Sequence, residues 1–309
     1  MGTFTFQAGN AAGLRRLPLY FLGAIATLVV PRTPRVWVFG SGIGPGEGAL
    51  PLLRVARAEL PAAARLVWLA TTEDELARAR ALGLDAERKL SWRGFWLTLR
   101  AQVLVVTHGL GDVNRYAVRG GFVVQLWHGI PLKRLHLDAP VAQSASSRLG
   151  RAVVRRGYQV VGRQIDLFPV AGDPVVGRIA SAFGTPRDRI AVTGDPRDDV
   201  LLQGTPHERR AAAREGLGDA LGHLPGAGPL ILYAPTWRDG EPDPAAPDEQ
   251  IWKQLAAWLD AVDGALIVRN HPLGHADYSA GPQHSPRIKL LDAGEVADLT
   301  PLLPAFDHL

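Results

Sequence analysis

The strongest structural signal in the chain is the stretch Gly121-Phe122-Val123-Val124-Gln125-Leu126-Trp127-His128-Gly129-Ile130-Pro131-Leu132-Lys133-Arg134-Leu135. Its apolar part, Phe122 to Trp127, predicts a buried strand, because β-branched and aromatic residues fill both faces of a pleated sheet. Pro131 cannot donate a further ladder hydrogen bond, so the strand ends at His128-Gly129. The stretch therefore brings a histidine, and two cations after it, to the end of a sheet, where open α/β sheets bind ligands.

The residues that follow this strand favour an anionic ligand. Gly129 lets a ligand approach the backbone, and the cations Lys133 and Arg134 suit a phosphate. The same spacing fits a plain strand end with a solvated histidine and a basic turn, so spacing alone leaves both interpretations open.

The bulk composition predicts a folded protein with an anionic partner. The chain has 309 residues, enough for two domains, and 47% hydrophobic against 21% charged residues indicates packed cores rather than disorder. The absence of cysteine excludes disulfides and thiolate metal sites. A net charge of +4 favours phosphates, nucleotides or an acidic membrane face. No dense Lys/Arg run interleaved with aromatic residues predicts nucleic acid binding, and the histidines lack the spacing and carboxylate partners of a metal site.

Residues 1–34 contain a short apolar segment, Leu17 to Val30, that predicts a helix. At about 1.5 Å per residue its apolar part spans about 21 Å, less than the hydrocarbon core of about 30 Å. Arg15 and Arg16 precede it, which fits a helix lying on an anionic membrane surface. A packing helix in the core of the first domain is the alternative.

A basic segment near residues 148–156 also has two interpretations. It is either a solvated helix face or a contact with anionic lipid or polymer.

Residues 35–195 alternate strands and helices, the pattern of a doubly wound parallel sheet. Local signals accompany the pattern: Thr72 with Glu75 predicts a capping box, Ser91 a helix cap, and Asp173-Pro174 an N-cap followed by proline. The apolar residues of the helix after Ser91 share one face and are expected in the core; they are Trp92, Phe95, Trp96 and Leu99.

Two strands of this domain end in His-Gly, at His108 and at His128. The carboxyl ends of parallel strands lie on one rim of a sheet, so both histidines can face the same crevice. His108 is equally compatible with a buried or turn histidine. The glycine-rich loop Gly40 to Gly46 has some features of a dinucleotide fingerprint, but Pro45 and the lack of a ribose-binding acid favour a simple strand-to-helix turn.

Residues 196–229 are predicted to be a linker and residues 230–309 a second α/β domain. Two loops in this domain carry the segments Thr236-Trp237-Arg238-Asp239 and Arg269-Asn270-His271-Pro272. Each places an arginine at or just past a strand end, and a guanidinium matches phosphate oxygens with two parallel hydrogen bonds. The sequence therefore predicts that Arg238 and Arg269 bind phosphate.

Five ordered motifs resemble those of the CDP-glycerol glycerophosphotransferase family, the teichoic-acid-type polymerases and primases of bacterial cell envelopes. They are Val106-Thr107-His108-Gly109, Trp127-His128-Gly129-Ile130-Pro131-Leu132-Lys133, Thr193-Gly194-Asp195-Pro196-Arg197-Asp198-Asp199, Tyr233-Ala234-Pro235-Thr236-Trp237-Arg238 and Val268-Arg269-Asn270-His271-Pro272. The likeness runs from about Val36 to the last residue. It implies a GT-B-type α/β fold: two Rossmann-like domains facing a cleft, with residues 35–195 on the acceptor side and residues 230–309 on the nucleotide-donor side.

The resemblance also implies a reaction. Glycerol phosphate, or a related polyol phosphate, passes from a CDP-linked donor such as CDP-glycerol to a hydroxyl of a lipid-linked polymer, and CMP leaves, with no metal or cofactor. His128 is expected to act as general base, a role typically worth about 10² to 10⁴ in rate. The other expected site residues are His271 as second catalytic group, Arg197, Arg238, Arg269 and Lys133 at the phosphates, and His108, Gly129 and Thr236 as substrate contacts.

Two other functions remain open: a non-catalytic fragment that binds a nucleotide or an anionic polymer, and another GT-B enzyme, such as a sugar transferase or sugar-nucleotide epimerase. The expected location is cytoplasmic and peripheral, at the inner face of the cell membrane. The family carries a further T-D-Y-S-S motif after a segment resembling Leu303 to Leu309, where this chain ends. The sequence therefore predicts an incomplete second domain, and a fragment or truncated gene product that binds the donor poorly and has little or no activity by itself.

Overall fold

A computed structural model describes residues 17–132, 134–139, 148–235, 246–270, 276–292, 294, 296 and 298–309. The chain divides into two compact units, residues 1–197 and residues 198–309. Each unit has its own parallel sheet and its own buried apolar clusters.

The first unit is built around a parallel sheet. Its strands are β1 Thr33–Gly40, β2 Arg65–Ala70, β3 Asp85–Arg88, β4 Ala101–Val106, β5 Phe122–Gln125, β6 Phe168–Val170 and β7 Ile190–Val192. Its helices are α1 Leu17–Val29, α2 Ala49–Glu59, α3 Glu73–Ala81, α4 Trp92–Arg100, α5 Arg148–Gly162 and α6 Asp173–Phe183. Five strands follow the order β3-β2-β1-β4-β5, and the pair β6-β7 joins β5 through a bridge between Val124 and Leu167. The strand order reverses between β1 and β4, which is where doubly wound sheets bind ligands.

Helices cover both faces of this sheet, so the central strands are apolar on both sides. Successive side chains of β1 point to opposite faces: Val38 lies in one buried cluster with α6, and Phe39 lies in the other with α2 and α3. This two-sided burial explains the continuous apolar runs that mark β1, β4 and β5 in the sequence.

The local helix signals are confirmed in part. The Thr72 hydroxyl accepts a hydrogen bond from the backbone N–H of Glu75 (3.1 Å), but the Glu75 carboxylate accepts from the N–H of Thr71 (2.7 Å), so the predicted reciprocal box is not formed. Ser91 caps α4 as predicted, accepting from the N–H of Gly94 (2.9 Å). The predicted cap at Asp173 is wrong by one residue: α6 begins at Asp173, and Gly172 occupies the cap position.

The predicted core face of α4 is wrong for its two tryptophans, whereas Leu99 is buried as predicted. Trp92 is 74% exposed and Trp96 is 45% exposed, whereas the buried face carries Gly94, Leu97 and Thr98. Gly94 packs tightly against the backbone, since an added Cβ would lie 2.1 Å from the carbonyl oxygen of Arg88. The helix therefore turns its smallest residue, rather than its largest aromatic residues, toward the sheet.

Helix α1 lies against the first unit through one face only. Gly23 is buried where an added Cβ would lie 2.0 Å from the Tyr116 carbonyl oxygen, and Tyr20 meets Tyr116 edge-to-face at 4.9 Å between ring centroids. Large apolar side chains remain exposed on its other faces, including Phe21 and Leu28. Among the described residues, no helix is both long and apolar enough to cross a membrane.

The second unit has strands β8 Leu230–Tyr233, β9 Ala265–Val268 and β10 Ile288–Leu290, in the parallel order β10-β9-β8. Its helices are α7 Pro206–Leu221, α8 Glu249–Ala261 and α9 Ala280–His284. Ala213 and Leu217 of α7, within the predicted linker, are buried in one cluster with this sheet, and Trp252 of α8 is buried in the other. His308 bridges to Ile231 beside β8. Both units thus have an α/β fold with parallel sheets.

Candidate functional site

The candidate site lies at the carboxyl ends of four strands of the first unit. Strand β1 leads into the loop of Ser41 and Glu47, β4 into His108, β5 into His128, and β7 into Arg197. Parallel strands deliver these segments to a single rim, next to the point between β1 and β4 where the strand order reverses.

Two histidines predicted from the sequence are brought together here. The rings of His108 and His128 stack with centroids 4.3 Å apart and planes 17° apart. The Trp127 ring lies 4.0 Å from the His128 ring on centroids, and Trp127 has a left-handed φ of 61°. Left-handed backbone is unusual for a bulky residue and is found where surrounding structure enforces it. Strand β5 therefore ends at Gln125, earlier than predicted, and the chain twists to turn His128 toward His108.

Asp112 fixes the loop that carries His108. One oxygen of its buried carboxylate accepts hydrogen bonds from the backbone N–H groups of Thr107 (2.9 Å), His108 (2.7 Å) and Gly109 (3.2 Å). Three converging donors hold the turn after β4 in one conformation. Gly109 has a φ of 148° in this turn, a backbone conformation that favours glycine.

A buried carboxylate lies behind the histidines. Glu47 accepts a hydrogen bond from the Ser41 hydroxyl (2.9 Å), and Ser41 in turn lies 3.0 Å from the Thr107 hydroxyl, which donates to it. The Nδ1 atom of His108 lies 3.6 Å from the Glu47 carboxylate and accepts from the N–H of Gly42 (3.1 Å). These contacts tie the loop after β1 to the turn after β4.

Arg197 lies beside the end of β5. Its guanidinium donates to the His128 carbonyl oxygen (3.2 Å), and its backbone N–H donates to Asp195 (3.0 Å). Gly129 has a φ of 138°, and an added Cβ there would lie 3.4 Å from the Arg197 guanidinium. A side chain larger than hydrogen at Gly129 would be strained and would crowd this cation.

Burial keeps the histidines of this site neutral. Desolvation, followed by repulsion from His108, lowers the pKa of His128 from 6.5 to about 4, although Glu47 opposes the shift. Burial also lowers the pKa of His108 and of His136, and it raises the pKa of the Glu47 carboxyl. A neutral imidazole beside a fixed guanidinium can accept a proton while the cation holds a phosphate oxygen.

Arg269 lies in the second unit and donates hydrogen bonds to backbone carbonyl oxygens. Its guanidinium donates to the carbonyl oxygens of Leu291 (3.4 Å), Asp292 (2.7 Å) and Val296. Burial lowers its pKa, and Asp292 acts in the opposite direction. Arg269 therefore has a structural role, because these contacts hold the chain after β10. Its contact with phosphate stays a prediction.

Four predicted site residues, Lys133, Thr236, Arg238 and His271, lie outside the described residues. Their predicted roles stay predictions. Within the described part of the chain, no group of three or more His, Asp or Glu side chains is arranged to hold a metal ion.

Sequence reasoning missed Glu47, Asp112 and His136. His136 meets Trp127 edge-to-face at 5.6 Å and Phe183 at 4.4 Å between ring centroids, so it supports the tryptophan next to His128. Asp112 could have been found from the sequence, because it is an acid four residues after a strand-end histidine. Glu47 could not be found this way, because His108, which it faces, lies far along the chain.

Comparison with known proteins places this site in a family. The sequence profile of CDP-Glycerol:Poly(glycerophosphate) glycerophosphotransferase matches residues 49–309. The chain is 33% identical over 120 residues to a teichoic acid poly(glycerol phosphate) polymerase of Staphylococcus epidermidis, covering 38% of this chain and 16% of that protein. It is 32% identical over 155 residues to a teichoic acid glycerol-phosphate transferase of Staphylococcus aureus, covering 50% of this chain and 38% of that protein. The chain thus matches less than half the length of either relative.

Solved structures show the same fold. The wall teichoic acid polymerase TagF superimposes with a TM-score of 0.70 at 22% identity, covering 96% of this chain and 70% of that one. A variant of TagF with a histidine replaced by asparagine, soaked with CDPG, gives a TM-score of 0.72 at 20% identity, covering 97% of this chain and 71% of that one. These likenesses confirm the predicted α/β, GT-B-type fold class. With the family profile matched over residues 49–309, the chain belongs to the CDP-glycerol:poly(glycerophosphate) glycerophosphotransferase family.

Proposed function

We propose that this chain transfers glycerol phosphate, or a related polyol phosphate, from a CDP-linked donor to an acceptor hydroxyl. The observation that carries the proposal is a neutral His128 at the carboxyl end of β5, with the Arg197 guanidinium 3.2 Å from its carbonyl oxygen. Family membership supports the choice of a CDP-linked donor.

In the proposed step, the acceptor oxygen attacks the phosphorus that carries glycerol. A new P–O bond forms to the acceptor, and the bond from that phosphorus to the bridging oxygen breaks. CMP leaves with the electron pair of the broken bond. His128 takes the acceptor proton and becomes an imidazolium, which afterwards releases the proton to solvent. Arg197 is proposed to hold a phosphate oxygen, together with Lys133, Arg238, Arg269 and His271; His108, Gly129 and Thr236 complete the substrate contacts.

The acceptor in this proposal is a lipid-linked polymer at the cytoplasmic face of the cell membrane. Two features of the first unit support an anionic membrane surface as partner: the exposed apolar residues of α1 and the arginines of α5. We also propose residues 35–195 as the acceptor-side domain, residues 196–229 as the linker and residues 230–309 as the nucleotide-donor domain.

A donor panel tests the proposal. The chain is incubated with CDP-glycerol, CDP-ribitol, UDP-glucose or UDP-N-acetylglucosamine and a lipid-linked glycerol phosphate primer, and nucleotide release is followed by chromatography. CMP release that requires both the CDP-polyol and the primer is the expected result. Turnover of a UDP-sugar alone would identify another GT-B enzyme, and binding of CDP-glycerol without turnover would identify a binding fragment; either contradicts the proposal.

A further inference from the structure

Glu47 combines burial of its carboxylate with an unfavourable backbone conformation. Only 8% of the residue is exposed, and its backbone has a left-handed φ of 48°. Burying a carboxylate and holding a non-glycine residue in this backbone region are both unfavourable unless surrounding contacts stabilise them. Specific contacts must therefore hold Glu47 in this buried, left-handed conformation.

These contacts connect Glu47 to the pair of His108 and His128. Ser41 donates to the Glu47 carboxylate and accepts from Thr107, which directly precedes His108. The backbone N–H of Gly42, from the same loop as Glu47, donates to Nδ1 of His108. The Thr107 hydroxyl lies 2.9 Å from the same nitrogen, so two groups hold this edge of the His108 ring. The loop of Glu47 thus helps to set the position of the ring that stacks on His128.

The pair also needs a compensating charge. A buried imidazolium is unfavourable without a counter-charge, and a charge on one ring also disfavours protonation of the second ring, stacked 4.3 Å away. The titratable and charged groups around the pair are Glu47, Asp112, His136, Asp195 and Arg197. Asp112 is occupied by three backbone donors, Asp195 accepts from the backbone of Arg197, and Arg197 adds a further positive charge. Among the described residues, Asp112 acts to raise the pKa of His108 against the effect of burial, whereas Glu47, 3.6 Å from Nδ1 of His108, is the acid that acts to raise the pKa of His128.

We propose that Glu47 is a positioning residue of the transfer reaction: through Ser41 and Thr107 it holds the turn of His108 against His128, and its charge offsets the positive charge that His128 acquires when it takes the acceptor proton. This inference rests on the proposed function. Glu47 acts through the histidines, since its burial keeps it from the substrate. A buried carboxylate that orients and stabilises an imidazolium follows the logic of catalytic triads.

Glu47→Gln tests the proposal, because glutamine keeps the size and the hydrogen bond from Ser41 but removes the charge. Glu75→Gln is the matched control: Glu75 is also buried in the same unit, at 4% exposure, but its carboxylate accepts from the Trp68 indole and the Thr71 N–H. The first measurement is steady-state CMP release from CDP-glycerol. We expect kcat of Glu47→Gln to fall at least about tenfold, the effect of one pKa unit on imidazolium formation, with KM changed less than twofold. Glu47→Asp, which keeps the charge, should recover part of the loss.

The second measurement does not depend on turnover. Histidine C2–H shifts are followed by NMR from pH 8 downward, and in Glu47→Gln the first movement of the His128 signal should appear at lower pH than in the wild type and in Glu75→Gln. Unchanged titration and kcat in Glu47→Gln would overturn the inference while leaving the proposed function intact. Conversely, a wild type that releases no CMP but shows the expected NMR difference would overturn the proposed function and leave the link between Glu47 and the histidines standing. If Glu47→Gln does not fold, Ser41→Ala, which releases the carboxylate, is measured in its place, and an unchanged kcat there counts against the proposal.

Discussion

His128 is neutral because it is buried beside a second histidine, and this sets how it can act. With a pKa of about 4, the ring is unprotonated across the physiological range and can always accept a proton. Its basicity is low before substrate binds, so the surrounding charges must stabilise the imidazolium as it forms.

Replacing His128 with glutamine should therefore remove the base without disturbing the fold. We expect kcat for CMP release to fall by at least about 10², with KM for CDP-glycerol changed less than threefold. His223→Gln, at an exposed position after α7, is the control for loss of a histidine. A loss smaller than tenfold in His128→Gln would remove His128 from the role of base.

The same pKa shift predicts how stability depends on pH. A histidine whose folded pKa is lowered binds fewer protons when folded than when unfolded, so the free energy of unfolding decreases as pH falls from about 6.5 toward about 4. The raised pKa of Glu47 acts in the opposite direction, so the histidine effect is best read from a variant. In urea titrations at pH 7.5 and pH 5, His128→Gln should lose less stability on acidification than the wild type and His223→Gln. Equal losses in all three proteins would contradict the shift.

The site shows which residues a sequence reveals. His108 and His128 were predicted to meet because parallel strands end on one rim, a rule that needs only the strand pattern. Glu47 could not be found this way, since its partner His108 lies far along the chain and no motif links them. For Arg269, the sequence predicts a role but misses the contacts. An arginine at a strand end predicts a phosphate ligand, whereas its hydrogen bonds to three backbone carbonyls depend on how the segment after β10 folds back.

Among the helices and strands, apolar runs were predictable and polar ones were not. Strands β2 and β9 are apolar runs, the kind of signal that a sequence shows, whereas β3, Asp85–Arg88, has no such signal because the edge-strand sequence DAER has no apolar alternation. Arg32 was also missed. Its guanidinium donates to the carbonyl oxygens of Thr98, Ala101, Ala117 and Arg119, and burial lowers its pKa to about 10. Nothing in the sequence marks an arginine as the group that joins α1 to the start of β4.

Helix α1 is the element on which the membrane proposal depends. Phe21 is 68% and Leu28 is 74% exposed, and apolar side chains at a lipid interface gain binding energy from burial among the acyl chains. We expect Phe21→Ser/Leu28→Ser to bind anionic vesicles at least about fivefold more weakly than the wild type, measured by co-sedimentation. Leu82→Ser/Leu90→Ser, at other exposed apolar positions of the first unit, is the matched control and should bind like the wild type. If both double variants bind equally, or the wild type ignores vesicles, α1 is a packing helix.

The predicted site residues occur in both units. The histidine pair and Arg197 belong to the first unit, and Arg269 belongs to the second. Because each unit has its own sheet and buried clusters, a ligand that contacts only one of them should leave the hydrogen exchange of the other largely unchanged.

This separation makes the nucleotide-donor role of residues 230–309 testable in the intact chain. Nucleotides bind outside the carboxyl ends of parallel strands, which in the second unit are the ends of β8 at Tyr233 and of β9 at Val268. Hydrogen exchange with CMP present should therefore slow in peptides covering residues 230–235 and 265–270, with little change around residues 122–132. CDP-glycerol should add protection around residues 122–132 if His128 faces the reacting phosphate. UMP serves as the control nucleotide and should protect less. Protection by CMP confined to residues 17–197 would reverse the assignment and move the nucleotide to the first unit.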